Sequence, residues 1–157
     1  MTVSSKALQE GDAAVDLSRR VDLKHHHGGV SVADLEASVQ WYCDVLGFEV
    51  ECRFEIPPVP ASVAQLKRGN LRMELFHVAG AQPLPDDRRY TDRDLHTCGN
   101  KHIAFAVQSV AETVAELKAR GADIAMVHAS DFGSSAFIRD NTGNLIEFVQ
   151  APEMWQE

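Results

Sequence analysis

The sequence predicts an α+β fold built from two copies of one module, each running strand, helix, then three strands. Two observations carry this expectation. A strand-like run followed by a helix-like segment that stops at glycine occurs twice, from His27 to Gly47 and from His102 to Gly121. Each copy then closes on a strand with a lone acid, Glu74 between Met73 and Leu75, and Glu147 between Ile146 and Phe148. Overlaying His27 on His102 aligns Val30 with Phe105, Val32 with Val107 and Leu35 with Val110, and the two glutamates fall at nearly equal separations from their histidines.

The elements follow in order. Gly29–Val32 and Ile103–Val107 read as the opening strands, since Val, Ile and Phe favour that state. Asp34 is a good N-cap for a helix carrying Leu35, Val39, Tyr42 and Leu46 at helical spacing. Ser109 with Glu112 makes a capping box for the second helix, which buries Val110, Val114 and Leu117 and stops at Gly121. Strands are expected over Phe48–Phe54, Ser62–Lys67 and Leu71–Val78 in the first copy. In the second they are expected over Asp123–His128, Ala136–Arg139 and Leu145–Gln150. Gly69-Asn70 and the run Asp140–Asn144 are the turn signals before the last strands. The prolines of 56–60 read as an irregular insertion beside the site.

The chain thus divides into an N-terminal extension (1–22) and a single domain (23–150) with a C-terminal tail (151–157). Within the domain, module one is 23–78, a connecting loop covers 79–100, and module two is 101–150. The loop is rich in Pro, Asp and Arg without periodicity, and a connection that long is more often functional than a bare linker.

With 157 residues and 45% apolar content, the composition is that of one ordinary globular domain. The net charge of −8 argues against nucleic-acid and anionic-membrane partners, which need clustered Lys and Arg. No apolar run reaches membrane-spanning length. Residues 1–22 lack a signal peptide's apolar core and contain acids that a transit peptide avoids; they read as an extension or a short helix packing on a partner. Cys43, Cys52 and Cys98 are odd in number and irregularly spaced, which suits reduced thiols in a cytoplasm.

The doubled pattern has a chemical reading. Two imidazoles and two carboxylates from His27, Glu74, His102 and Glu147 make a nitrogen–oxygen donor set suited to Zn, Ni, Co, Mn or Fe(II). Four protein ligands around an octahedral ion leave two positions for water or for two substrate oxygens. Strand alternation puts His102, Ala104 and Ala106 on one face and Ile103, Phe105 and Val107 on the other. It also turns Glu147 away from Ile146 and Phe148, toward a face that solvent would equally suit. Within the run His25-His26-His27 only His27 matches the repeat. His77, His96 and His128 have no counterparts.

At these residues the sequence resembles the vicinal oxygen chelate superfamily, which includes glyoxalase I, methylmalonyl-CoA epimerase, fosfomycin-resistance enzymes and extradiol dioxygenases. The resemblance rests on three stretches, His27–Phe48, Asn100–Val107 and Arg139–Glu147. Two departures stand out: Gly28 replaces an apolar branched residue, and Trp41 replaces Phe. The resemblance implies paired βαβββ modules forming a cupped mixed sheet. It also implies a divalent metal on His27, Glu74, His102 and Glu147, a homodimer, and a small-molecule substrate.

The chemistry expected is that of a glyoxalase-type lyase or isomerase. The metal binds two neighbouring substrate oxygens while Glu147 or Glu74 moves the α-proton as general base. Arg88, Arg89 and Arg93 of the connecting loop are candidates for holding a substrate carboxylate. Their competing reading is a solvated loop paired with Asp86, Asp87 and Asp92. An Fe(II) extradiol dioxygenase is the alternative, opposed by Glu74, which fills a position oxygen or a catecholate would use. A third is a non-catalytic binding protein, opposed by retention of all four ligands.

Overall fold

The computed structural model describes residues 22–131 and 133–156. The reading of 1–22 as an extension therefore lies, apart from its last residue, outside the described residues.

Each half builds the expected module. Module one comprises β1 (Gly28–Ser31), α1 (Leu35–Leu46), β2 (Glu49–Ile56), β3 (Ala61–Arg68) and β4 (Leu71–Val78). Module two comprises β5 (Ile103–Val107), α2 (Val110–Ala119), β6 (Asp123–Ser130), β7 (Gly133–Arg139) and β8 (Leu145–Gln150). The sheets are mixed and equivalent, ordered β1-β4-β3-β2 and β5-β8-β7-β6. In both, the opening strand runs parallel to the closing strand and the other pairs are antiparallel. The repeat extends to irregularities: β2 shifts register between Val50 and Cys52, and β6 shifts between Ile124 and Met126. One extra residue at each point bends the outer strand.

Local chemistry fixes the boundaries. The Asp34 side chain accepts from Ala37 N at 2.9 Å, and the Ser109 hydroxyl accepts from Glu112 N at 3.3 Å. Each satisfies one of the free N–H groups of a first helical turn. Gly47 ends α1 at φ 68, a left-handed conformation costly for any residue with a Cβ. Strands β2, β3, β6 and β7 run longer than expected. Seven of the eight β2 residues are exposed, and its charged–apolar alternation continues to Ile56. The prolines of 56–60 form the turn of the β2–β3 hairpin.

One core joins the modules. Tyr42, Leu46, Phe48, Leu66, Met73 and Leu75 pack with Leu117, Ile138, Ile146 and Phe148. Burying a side chain of this size contributes about 1.5–3 kcal/mol. The Tyr42 hydroxyl donates to Asp140 Oδ2 at 3.2 Å, tying α1 to the turn between β7 and β8. That turn also receives Ala33 N on Thr142 Oγ1 and sends Asn144 Nδ2 to Ser31 O, both at 3.2 Å.

Gly28 has a packing reason. A Cβ built there would stand 2.5 Å from Ile103 Cδ1 and 3.4 Å from Met73 Sδ. Ile103 of module two thus fills the place of the missing side chain. The tail begins with Ala151 N donating to Val107 O at 2.9 Å and turns through a short 3-10 helix, Pro152–Trp155. Among the described residues no helix is long and apolar enough to cross a membrane.

Candidate functional site

The four predicted ligands fall into two equivalent pairs. Glu74 pairs in register with Gly29 and Glu147 with Ala104, and in each module the histidine lies two residues before that partner. Period-two alternation therefore puts each histidine on its glutamate's face of the sheet. His27 Nε2 stands 3.2 Å from Glu74 Oε2, and His102 Nε2 stands 3.0 Å from Glu147 Oε2. Both carboxylates are largely covered, with side chains 13% and 19% exposed. Both histidines directly precede their strands, rather than lying within them.

Neighbours orient these groups differently. His26 Nδ1 lies 2.7 Å from His27 Nδ1, one ring donating and the other accepting, which leaves Nε2 of His27 to face Glu74. Gln65 Nε2 donates to Glu74 Oε1 at 3.4 Å. In module two the Phe137 ring meets His102 edge-on, with centroids 5.0 Å apart and planes at 88°. Neither Gln65 nor Phe137 was singled out by the sequence. Counting outward from the Gly69-Asn70 turn would have placed Gln65 opposite Glu74.

The donor set fits a divalent ion pairwise. Two ligands each about 2.1 Å from one ion at a right angle stand about 3.0 Å apart, close to both His–Glu separations. The chain does not gather the two pairs into one cage. Among the described residues no three His, Cys, Asp or Glu side chains stand together closely enough to hold an ion as a group.

A cavity of about 420 Å³ opens beside His102, between the modules. Gly28, Gly29, Arg88, Asn100, Lys101 and Asn144 line it, and of the four predicted ligands His102 does so. The three candidate arginines part company. Arg93 pairs with Asp86 at 3.4 Å and Asp87 at 3.9 Å and lies over the Tyr90 ring at 4.3 Å, the competing reading of a loop-bound arginine. Arg89 lies against Gly143, and its carbonyl accepts from Arg139 Nε at 2.7 Å. Only Arg88 reaches the cavity.

Arg88 and Lys101 converge on Asp94, which is 2% exposed. Arg88 Nε is 2.6 Å and Lys101 Nζ 3.6 Å from Asp94 Oδ1. Lys101 also donates to the carbonyls of Asp94, at 2.5 Å, and of Thr97. Lys101 and Asp94 escaped the sequence reading, although Lys101 adjoins His102 in the chain. Asp140, at 4% exposure, collects Thr142 N, Gly143 N and Asn144 N on Oδ1, and Tyr42 Oη and Asn144 Nδ2 on Oδ2. Burial, then the Asp140 charge and hydrogen bond, push the Tyr42 hydroxyl well above its ordinary pKa.

The model of the glyoxalase/bleomycin resistance protein/dioxygenase superfamily matches residues 24–148, most of the chain. The chain belongs to this superfamily. Among superfamily relatives, the mitochondrial methylmalonyl-CoA epimerase of Mus musculus is 29% identical over 80% of this chain and 72% of its own. A probable lactoylglutathione lyase of Synechocystis is 27% identical over 79% and 92%. The crystal structure of a glyoxalase family protein from Enterococcus faecalis superposes with a TM-score of 0.67 at 25% identity, covering 80% of this chain and 96% of that one. The superfamily's paired-module architecture is the one described above.

Proposed function

We propose that the protein is a metal-dependent lyase or isomerase acting on a carbonyl compound with two neighbouring oxygens. The observation carrying this reading is the repeated His–Glu pair, His27 with Glu74 and His102 with Glu147, at matched register and matched spacing. A divalent ion of the series Zn, Ni, Co, Mn and Fe, held by such His–Glu pairs, would polarise the substrate carbonyl as a Lewis acid. The rest of the chemistry falls to the chain. Glu147 is the proposed base: it takes the α-proton onto its carboxylate and returns it to the same carbon or its neighbour. Its Oε1 has no hydrogen-bond partner among the described residues, whereas both oxygens of Glu74 are engaged. A base so positioned contributes about 10²–10⁴-fold.

The relatives' names support two substrate classes, acyl-CoA thioesters and thiol adducts of α-oxoaldehydes. A homodimer belongs to the same reading, because two pairs that stand apart within one chain can each be completed by a second copy. Sedimentation of the metal-loaded protein checks that point, and a monomer would remove it.

The deciding experiment is metal analysis of purified protein, with activity measured across metals on acyl-CoA thioesters, α-oxoaldehyde adducts and catechols. Expected are bound metal in wild type, its loss in His27→Ala and His102→Ala, and turnover of one of the first two classes. Wild-type protein that binds no metal overturns the reading; oxygen uptake with catechols replaces it with ring cleavage.

A further inference from the structure

We propose that the cavity beside His102 selects substrates carrying an anionic group, a carboxylate in the first instance, bound by Arg88 and Asn100. The inference rests on the reading of His102 as a metal ligand and names the substrate class for that site.

Charge distribution is the first observation. The chain holds 23 acids against 15 bases, yet among the described residues no Asp or Glu lines this cavity. The charged residues that do are Arg88 and Lys101, with His25 and His102 beside them. Asp94 is buried behind the two cations and balances one of them. Among Arg88, Lys101 and Asp94 one positive charge is left over, in a protein whose formal net charge is −8.

Donor accounting places that charge. Lys101 spends its ammonium on the Asp94 and Thr97 carbonyls and the Asp94 carboxylate, so it serves as a brace. Arg88 holds Nε 2.6 Å from Asp94 Oδ1 in an ion pair and donates Nη2 to the Asn100 carbonyl. Its Nη1, together with the Asn100 carboxamide, has no hydrogen-bond partner among the described residues. A guanidinium held along one edge and free at the other is preorganised for an oxyanion, since little side-chain entropy remains to be lost. Gly28 and Gly29 add no side chain to the cavity they line, and about 420 Å³ is room for a small organic acid.

Two hydroxamates separate this inference from the reading beneath it. Acetohydroxamate offers two vicinal oxygens and no further charge; succinyl monohydroxamate offers the same pair plus a carboxylate. Calorimetric titration of the metal-loaded full chain is expected to show the second binding about tenfold or more tighter. That preference should vanish in Arg88→Gln and shrink in Asn100→Ala, with acetohydroxamate affinity unchanged in both. Because Arg88 also braces Asp94, a thermal melt accompanies each variant. If Arg88→Gln fails to fold, Asn100→Ala decides together with the wild-type preference, which should fall as salt rises. Equal wild-type affinities, or a preference that survives both substitutions, overturn the inference alone. Failure of both hydroxamates to bind overturns the chelate reading and this inference with it.

Discussion

Gln65 lies across the β3–β4 ladder from Glu74, at the position where Phe137 lies across the β7–β8 ladder from Glu147. The two halves match in backbone, in histidine and in glutamate, yet differ in what stands beside each carboxylate. An amide donor stabilises a carboxylate in one orientation, while a phenyl ring offers it nothing but shape. This difference gives the proposed division of labour, with Glu74 as a fixed ligand and Glu147 as the group free to move a proton.

Gln65→Leu tests the fixed side. Losing the amide leaves Glu74 Oε1 without its donor, and second-sphere losses of this kind cost about 10–100-fold in metal affinity. Competition titration against a chromophoric chelator should show that fall with the melting temperature little changed, because Gln65 is only partly buried. Unchanged affinity would strip Gln65 of a role.

Glu147→Gln tests the mobile side. The amide keeps the shape of the carboxylate and cannot take a proton, so kcat should fall by about 10²-fold or more with substrate affinity little altered. Glu74→Gln should damage metal retention first. The reverse pattern would exchange the two roles.

Gly28→Ala tests the contact between modules. The new Cβ would meet Ile103 Cδ1 at 2.5 Å, and because that atom ends a side chain able to turn aside, the cost should lie near the low end of overpacking, about 1 kcal/mol. Trimming the obstacle in the double variant Gly28→Ala, Ile103→Val should recover much of the loss in denaturant melts. Additive losses would show that the two residues do not interact.

Tyr42→Phe gives a pH signature. The folded hydroxyl has a raised pKa, so the fold favours its protonated form. That preference is fully present below about pH 10, the ordinary tyrosine value, and is lost as pH rises through the folded value. At neutral pH the variant should be less stable by about 1–3 kcal/mol, the worth of a hydrogen bond to a charged acceptor. The gap should narrow above about pH 10, as read from denaturant midpoints.

The sequence made the repeat legible because capping and turn chemistry are local. Asp34, Ser109, Gly47 and the Asp140 turn each announce a boundary through neighbours within a few residues. In β2 the strict alternation of charged and apolar residues, EVECRFEI, runs on to Ile56, two residues past the expected end at Phe54. At the site, nearly equal separations mark His27, Glu74, His102 and Glu147 as one four-ligand set, whereas the structure brings each histidine to its own glutamate. Asp94 and Lys101 were not. Their meaning depends on a loop folding back on itself, and an aspartate in a charged stretch looks solvated until burial is known. Arg93 illustrates the converse, being bound by acids of its own loop.

The Tyr42–Asp140 hydrogen bond closes a separation of 98 residues. Neither module can form it alone, since α1 supplies the donor and the β7–β8 turn the acceptor. If it is made only once both halves have condensed, it acts on the rate of escape from the native state more than on the rate of reaching it. Breaking it should steepen unfolding and leave refolding nearly untouched. The residues that seal the modules together would then set how long the protein survives between openings, independently of how quickly it first assembles.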